Sequence, residues 1–369
     1  ILIGNPYIYQ LLYNYDQEFK KLFKIKAHFD TEMDRNQKKV EKFASFVTSI
    51  CEREDLKDFT REAIAAIVEY SSRLSGDKDK MSTRFNDIME LLYESNTWSR
   101  IAGNKFVEEE DVRKALRKKE KRSNLIEEKI REMIEKGHIL VDVEGEETGQ
   151  INGLSVYQTG EYAFGRPSRI TARTFVGKKG VINIEREADM SGKIHNKGVM
   201  ILSGYLGGQY AQDKPLPLSA SLAFEQNYGG IDGDSASCAE LITLLSAISG
   251  YSIRQDLAIT GSMNQKGKVQ PIGGVNYKIE GYYKTCNIKG ITGDQGVVIP
   301  VQNKDNLMLK EEVIDAVKED EFHIYAVEDI EEAIELMFDR PANEVHNKVE
   351  EELSKMVERA KDFGNQNEE

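Results

Sequence analysis

The segment 218–248, LSASLAFEQNYGGIDGDSASCAELITLLSAI, decides the fold class. Leu218, Ala220, Leu222 and Phe224 fall on one face and smaller or polar side chains on the other, the period of a half-buried strand. Gly229-Gly230 and Gly233 supply a turn, and the apolar pattern 239–248 that follows has the length of a buried helix. Strand, glycine turn and helix together are the unit of an α/β domain. Ser235 falls at the start of that helix, where free backbone N–H groups and the positive end of the helix dipole favour developing oxyanion charge.

Downstream, apolar runs at 257–260, 296–300 and 322–327 read as strands, interleaved with helical patterns at 278–285, 307–317 and 330–337. Upstream, glycine-punctuated runs at 139–143, 151–157, 168–175 and 180–185 read as further strands. Before His138 the signature changes. Residues 31–137 read as helices throughout, at 31–53, 60–74, 82–95 and 109–136, with breaks at 76–80 and 103–104. Asp58 or Thr60 is expected to cap the second and Ser82 the third. The expected division is 1–30, the end of a preceding domain; 31–137, all helical; 138–340, α/β; and 341–369, a polar amphipathic helix with a frayed tail. The fold class is α + α/β.

The 369 residues are 40% hydrophobic, enough for two or three domains with ample cores. A formal charge of −13 disfavours nucleic acid or an acidic membrane as the main partner. The basic run 113–122 is a local exception whose plain reading is a solvated helix face, so DNA binding is not expected. No apolar run approaches the roughly 18 residues of a membrane span, and the start lacks the charged region and cleavage site of a signal peptide. Cys51, Cys238 and Cys286 are odd in number and lack metal-ligand spacing, which points to the cytoplasm and away from disulfides or a metal site. Ile1-Leu2-Ile3 reads as a buried strand, and without a starting Met the chain is expected to be a piece of a longer protein.

Ser235 has a candidate base in Lys278, which follows Pro271-Ile272-Gly273-Gly274. A lysine serves as a base only if a desolvated site lowers its pKa. Asp232 lies close enough across the glycine turn to orient the site or meet the lysine, and Thr260 offers a hydroxyl that can hold the amine. On spacing alone the bland alternatives stay open: an Asp-Gly turn is common, and a single helical lysine is usually solvated. Ser237 competes with Ser235 as nucleophile, and Cys238 sits where a helix start lowers a thiol pKa, although burial is the commoner fate of a free cysteine. The stretch 261–269 imitates a phosphate loop but has one residue too many between its glycines and Val269 where Ser or Thr would hold Mg²⁺. His28, His138, His195, His323 and His346 are scattered, so neither a histidine triad nor a metal cluster is expected.

Asp232-Gly233-Asp234-Ser235-Ala236-Ser237, Thr260-Gly261 and Pro271-Ile272-Gly273-Gly274-Val275 with Lys278 resemble the proteolytic domain of Lon proteases, which are Ser-Lys peptidases. The resemblance runs from roughly residue 140 to 340. It implies Ser235 as nucleophile, Lys278 as general base, and Asp232 and Thr260 as supporting residues. Asp234 stands where the family usually has proline and Ser237 where it usually has glycine, a form similar to the LonB-type and Lon-related branch. Ile1-Leu2-Ile3-Gly4-Asn5-Pro6 resembles the sensor-1 strand of an AAA+ ATPase, with Asn5 the sensor. Residues 70–74 and 81–85 resemble its small helical domain, with Arg84 the sensor-2 residue, while Lys20 and Lys21 stand where an arginine finger is expected.

By this resemblance the architecture is an all-helical AAA+ lid followed by an α/β Lon-type proteolytic domain, with residues 1–30 a remnant of the AAA+ core. It implies a serine endopeptidase acting on unfolded or damaged polypeptides within a ring of six identical subunits. ATP and Mg²⁺ are implied for the whole protein and no cofactor for this chain, whose phosphate loop is expected upstream of Ile1. Two rivals remain: a non-catalytic scaffold, and a chaperone-like module held inactive by Asp232 pairing with a protonated Lys278.

Overall fold

The computed structural model describes residues 1–160, 162–212 and 218–365. Residues 1–30 contain α1 (Pro6–Tyr15) and α2 (Phe19–Leu22). The strand expected at the start does not form. Residues 1–5 are exposed and, among the described residues, have no neighbouring strand to take their hydrogen bonds. Asn5 instead caps α1, its Oδ1 accepting from Ile8 N at 2.8 Å.

The next unit contains β1 (Glu32–Asp34), α3 (Gln37–Arg53), α4 (Arg61–Ser75), β2 (Lys80–Ser82), α5 (Phe85–Ala102), α6 (Glu109–Ser123) and α7 (Leu125–Glu135). It is helical except for one ribbon that the sequence reading missed: β1 pairs antiparallel with β2, Met33 opposite Met81. Met81 is wholly buried with Phe43, Ile67, Ile88 and Leu92, so the ribbon donates a side chain to the helical core. In consequence α3 begins at Gln37, behind the Asn36 cap. Ser82 does not cap α5; its Oγ accepts from Arg84 N inside the turn before it. Thr60 does cap α4, accepting from Ala63 N at 3.2 Å, and Gly76 ends that helix in the left-handed region at φ 69°. The single helix expected over 109–136 is broken at Asn124.

The third unit contains β3 (Glu146–Thr148), β4 (Gln150–Thr159), β5 (Tyr162–Val176), β6 (Gly180–Asn183), α8 (Ile184–Glu187), α9 (Lys193–Tyr210) and β7 (Leu218–Phe224). It continues with α10 (Ser237–Ser249), β8 (Ser252–Arg254), β9 (Leu257–Ile259), β10 (Ser262–Met263), β11 (Val269–Gln270), α11 (Val275–Lys289) and β12 (Gly296–Pro300). A 3₁₀ segment (Val301–Asn306), α12 (Glu311–Lys318), β13 (His323–Val327), α13 (Ile330–Phe338) and α14 (Ala342–Asn365) complete it. The tail expected at 366–369 lies outside the described residues.

Seven strands form one sheet in the order β13-β12-β9-β4-β5-β7-β6, antiparallel at β4/β5 and β5/β7 and parallel elsewhere. Alternate residues feed two cores: Val298 and Ile259 pack with α9, α10, α13 and α14 on one face, and Val297, Ile299 and Ala258 pack with α11 and α12 on the other. The expected strand at 139–143 is instead a buried crossing. Val141 and Val143 enter the second core, while the carbonyls of Asp142 and Val143 accept from the Asn152 and Gln295 side-chain amides at 2.7 and 3.3 Å rather than from a strand. The run expected as one strand at 180–185 divides into β6 and α8 at the Asn183 cap.

Candidate active site

Ser235 lies two residues before α10, on a turn stitched to the end of β9. Gly261 N donates to Ser235 O at 2.8 Å, Thr260 Oγ1 donates to the same carbonyl at 3.2 Å, and Cys238 N donates to Gly261 O at 3.2 Å. Gly233, at φ 96°, adopts a conformation that L side chains rarely take, which lets the chain turn into this loop.

Lys278 arrives from the opposite layer. Its helix, α11, starts at Gly274 in the left-handed region at φ 70°, and Asn303 pins the preceding loop by accepting from Ile272 N and donating to Ile272 O, both at 2.9 Å. The seat of α11 on the sheet is a backbone contact: a Cβ on Gly281 would stand 2.0 Å from Gly165 O, and one on Gly165 would stand 2.0 Å from Tyr277 O. Neither glycine was singled out from sequence, although Gly281 interrupts an otherwise good helical pattern, a signal of close packing.

Lys278 is 3% exposed, and its Nζ stands 2.8 Å from both Ser235 Oγ and Thr260 Oγ1. Ser235 is partly exposed, whereas the amine behind it is buried. Burial brings the Lys278 amine down from 10.5 to about 7, against a weaker opposing pull from the Asp234 charge. Near neutral pH much of this lysine therefore carries a free lone pair.

Asp232 stands elsewhere. Its Oδ1 accepts from Gly233 N at 2.9 Å, Ile194 N at 3.1 Å and His195 N at 3.3 Å, so it serves as a cap for α9 and not as a partner of Lys278. The carboxylate whose charge reaches the lysine is that of Asp234, two residues on, which the sequence marked only as standing where proline is usual. Ser237 is buried and donates to Asp234 O at 2.6 Å. Cys238 is fully buried, and burial pushes its thiol up to about 12, which makes it a packing residue.

The stretch resembling a phosphate loop is the β10/β11 hairpin. Its amides turn inward: Lys266 N and Lys268 N both donate to Asn264 Oδ1, leaving no cradle for a phosphate. Asn5 Oδ1 accepts from Ile8 N as the α1 cap, and Arg84 is exposed ahead of α5. Among the described residues no group of three or more His, Cys, Asp and Glu side chains could hold a metal ion, and no helix is long and apolar enough to cross a membrane. The basic run on α6 is met by local partners: Arg113 faces Glu109, Arg122 faces Glu94, and Lys114 sits 4.4 Å over the Trp98 ring.

Three family models match the chain in order. Residues 1–30 match the LonB-like AAA domain, 58–122 the AAA+ ATPase LID domain of archaeal LonB, and 229–340 the C-terminal proteolytic domain of Lon protease (S16). A protein from Escherichia coli named as a Lon protease homologue is 43% identical over 230 residues, covering 62% of this chain and 39% of its own length. A protein of the same description from Haemophilus influenzae is 46% identical over 226 residues, covering 60% of this chain and 38% of its own. The archaeal Lon protease of Thermococcus kodakarensis is 29% identical over 301 residues, covering 80% of this chain and 44% of its own. The chain thus spans about two fifths of the length of these curated relatives.

Proposed function

The chain belongs to the Lon protease family, in its LonB-type and Lon-related branch, and from that premise we propose that it is a serine endopeptidase running on a Ser235–Lys278 dyad. The observation that carries the reading is the buried amine of Lys278, 2.8 Å from Ser235 Oγ and brought down to about 7 with only hydroxyls in hydrogen-bond reach.

Neutral Lys278 offers its lone pair to the Ser235 hydroxyl and keeps an N–H on Thr260 Oγ1, which fixes the direction of the lone pair. Ser235 Oγ attacks the peptide carbonyl as its proton passes to Lys278 Nζ. Backbone N–H groups of the turn before α10 take the oxyanion, aided by the positive end of that helix. Lys278 returns the proton to the leaving amine, and then activates the water that cleaves the acyl-enzyme. Gly233 N is turned onto Asp232, so the oxyanion donors are drawn from Asp234, Ser235 and Ala236.

Unfolded or damaged polypeptide is the proposed substrate, a cytoplasmic homohexamer the proposed assembly, and ATP with Mg²⁺ the proposed cofactor of the whole protein. No step above passes through the nucleotide. Hydrolysis of a fluorogenic peptide by the chain and by its Ser235→Ala variant tests the reading. Cleavage lost in the variant while its circular dichroism is unchanged supports it; cleavage retained in the variant overturns Ser235 as nucleophile, and a parent chain that cleaves nothing leaves the scaffold reading.

A further inference from the structure

Ser235 is not held by the dyad alone. The loop that carries it lies in a mould formed by the first turns of α9, a helix that plays no part in the proton transfers above. Gly192 N donates to Ile231 O at 2.7 Å and Ile231 N to Met190 O at 2.9 Å, joining the start of α9 to the start of the loop. A Cβ on Gly192 would stand 2.3 Å from Asp232 Cγ, and one on Gly198 would stand 2.8 Å from Ser237 Oγ. Loop and helix therefore touch with no room for a side chain between them.

Behind this contact is a buried histidine–carboxylate pair. His195 Nε2 stands 2.9 Å from Glu240 Oε1, both side chains 1% exposed, with His195 on the first turn of α9 and Glu240 on the first turn of α10. The other ring nitrogen, Nδ1, is 2.8 Å from Ser191 Oγ, whose own proton goes to Asn196 Oδ1 at 2.8 Å. Nδ1 also stands 3.4 Å from the Asn183 side-chain amide nitrogen, so both ring nitrogens are held by polar partners. Around the ring stand the carboxylates of Glu240, Glu185 and Asp232, which supply negative charge, with the Asn183 amide nitrogen and the Phe224 ring packed beside them. Burial alone would discharge the ring, but the bond to Glu240 and these charges outweigh it and hold its pKa above the ordinary value. Such a pair is a poor source of stability, because desolvation consumes what attraction returns, yet it fixes the two helix starts at one distance and angle.

We propose that His195 is a positioning residue for Ser235: held between Glu240 and Ser191, it locks the start of α9 to the start of α10 and so fixes the nucleophile loop between them. Asp232 completes the lock by capping the same turn of α9 that presents His195. The proposal rests on the Ser235–Lys278 reading and adds residues that touch neither substrate nor the reacting atoms.

The test compares the chain with His195→Gln and Glu240→Gln, using a fluorogenic peptide and the rate at which a fluorophosphonate probe labels Ser235. In both variants kcat and the labelling rate are expected to fall together, on the order of 10- to 100-fold, with KM within about twofold, because the nucleophile is displaced and substrate binding is not. The pH at which the basic limb bends should not move, since neither residue contacts Lys278. Wild-type kcat and labelling in His195→Gln overturn the proposal, as does a loss carried by KM alone. Failure of both variants to fold assigns the pair to folding only and overturns it equally. Cleavage retained by Ser235→Ala removes the dyad reading itself, whereas an inert Ser235→Ala beside a fully active His195→Gln removes the positioning role alone.

Discussion

Two lysines on α11, nearly two turns apart, meet opposite surroundings. Lys278 touches the hydroxyls of Ser235 and Thr260, and burial brings it down to about 7. Lys284 is also largely buried, but it stands 3.1 Å from a Glu120 oxygen and 2.8 Å from a Glu127 oxygen, and their charges outweigh burial and hold it above its ordinary value. Glu120, disfavoured by burial, is pulled down to about 2 by Lys310 and Lys284. One amine is fitted to be a base and the other a strut between α11 and the helices α6 and α7. The difference is a counter-ion, supplied at one position and withheld at the other.

Removing the base is the severest way to break the comparison. Lys278→Met, and equally Lys278→Arg, whose guanidinium cannot discharge, should lower kcat by about 10⁴-fold or more in a peptide assay. Supplying the missing counter-ion sharpens it. Thr260→Asp should move the bend of the basic limb in kcat/KM up by roughly 1–3 pH units, with cleavage poor at neutral pH and recovering in alkali. In the parent that limb should level off just above pH 7, where a histidine-driven hydrolase also levels off, so these variants assign the base where the profile alone does not.

A third test moves the helix without touching either amine. Gly281→Ala puts a Cβ against Gly165 O, and should lower stability by about 1–3 kcal/mol, read as Tm, while kcat falls more than KM rises. Lys284→Met leaves two acidic groups short of a partner, and should cost about 1–3 kcal/mol with the bend of the pH limb unmoved.

A further effect is on stability against pH. Because the folded pKa of Lys278 is about 7 and its ordinary value 10.5, between those values the unfolded chain binds a proton that the folded chain lacks. Stability contributed at this site should rise with pH across that window, by at most about 1.4 kcal/mol per unit. The gain in Tm of Lys278→Met over the parent should be largest below pH 7 and vanish near pH 10.5. A gain that grew with pH instead would mean that the lysine is folded in its charged form.

What could be read from sequence was whatever is carried by short periods and adjacent residues. The alternation of 218–224 and the apolar run after Ser235 gave β7 and α10, while α11 spans Val275–Lys289, wider at both ends than the helical pattern expected at 278–285. The helix α9 escaped because its four glycines lower helix propensity, and two of them are there for packing: Gly198 faces Ser237, and Gly204 faces Gln265. The ribbon β1/β2 escaped because three-residue strands carry too little period to stand out among helices. Asp232 was found by its nearness to Ser235 in the chain but does its bonding on α9, and the His195–Glu240 pair joins residues that only the fold brings together. Thr260 and Lys278, by contrast, needed only the resemblance of their flanking motifs to be found.

Arg73 gives α11 a mechanical character. From α4 its two guanidinium nitrogens grip the Glu280 carboxylate at 2.6 and 2.7 Å, and one of them also donates to Met308 O at 2.7 Å. Glu280 lies two residues from Lys278, on the other side of the helix, and between the two grips the backbone rests on Gly165 with no side chain to compress. Such a helix is a stiff beam on a narrow fulcrum. A displacement of α4 would therefore bear on the helix whose amine must stay within hydrogen-bond length of a hydroxyl.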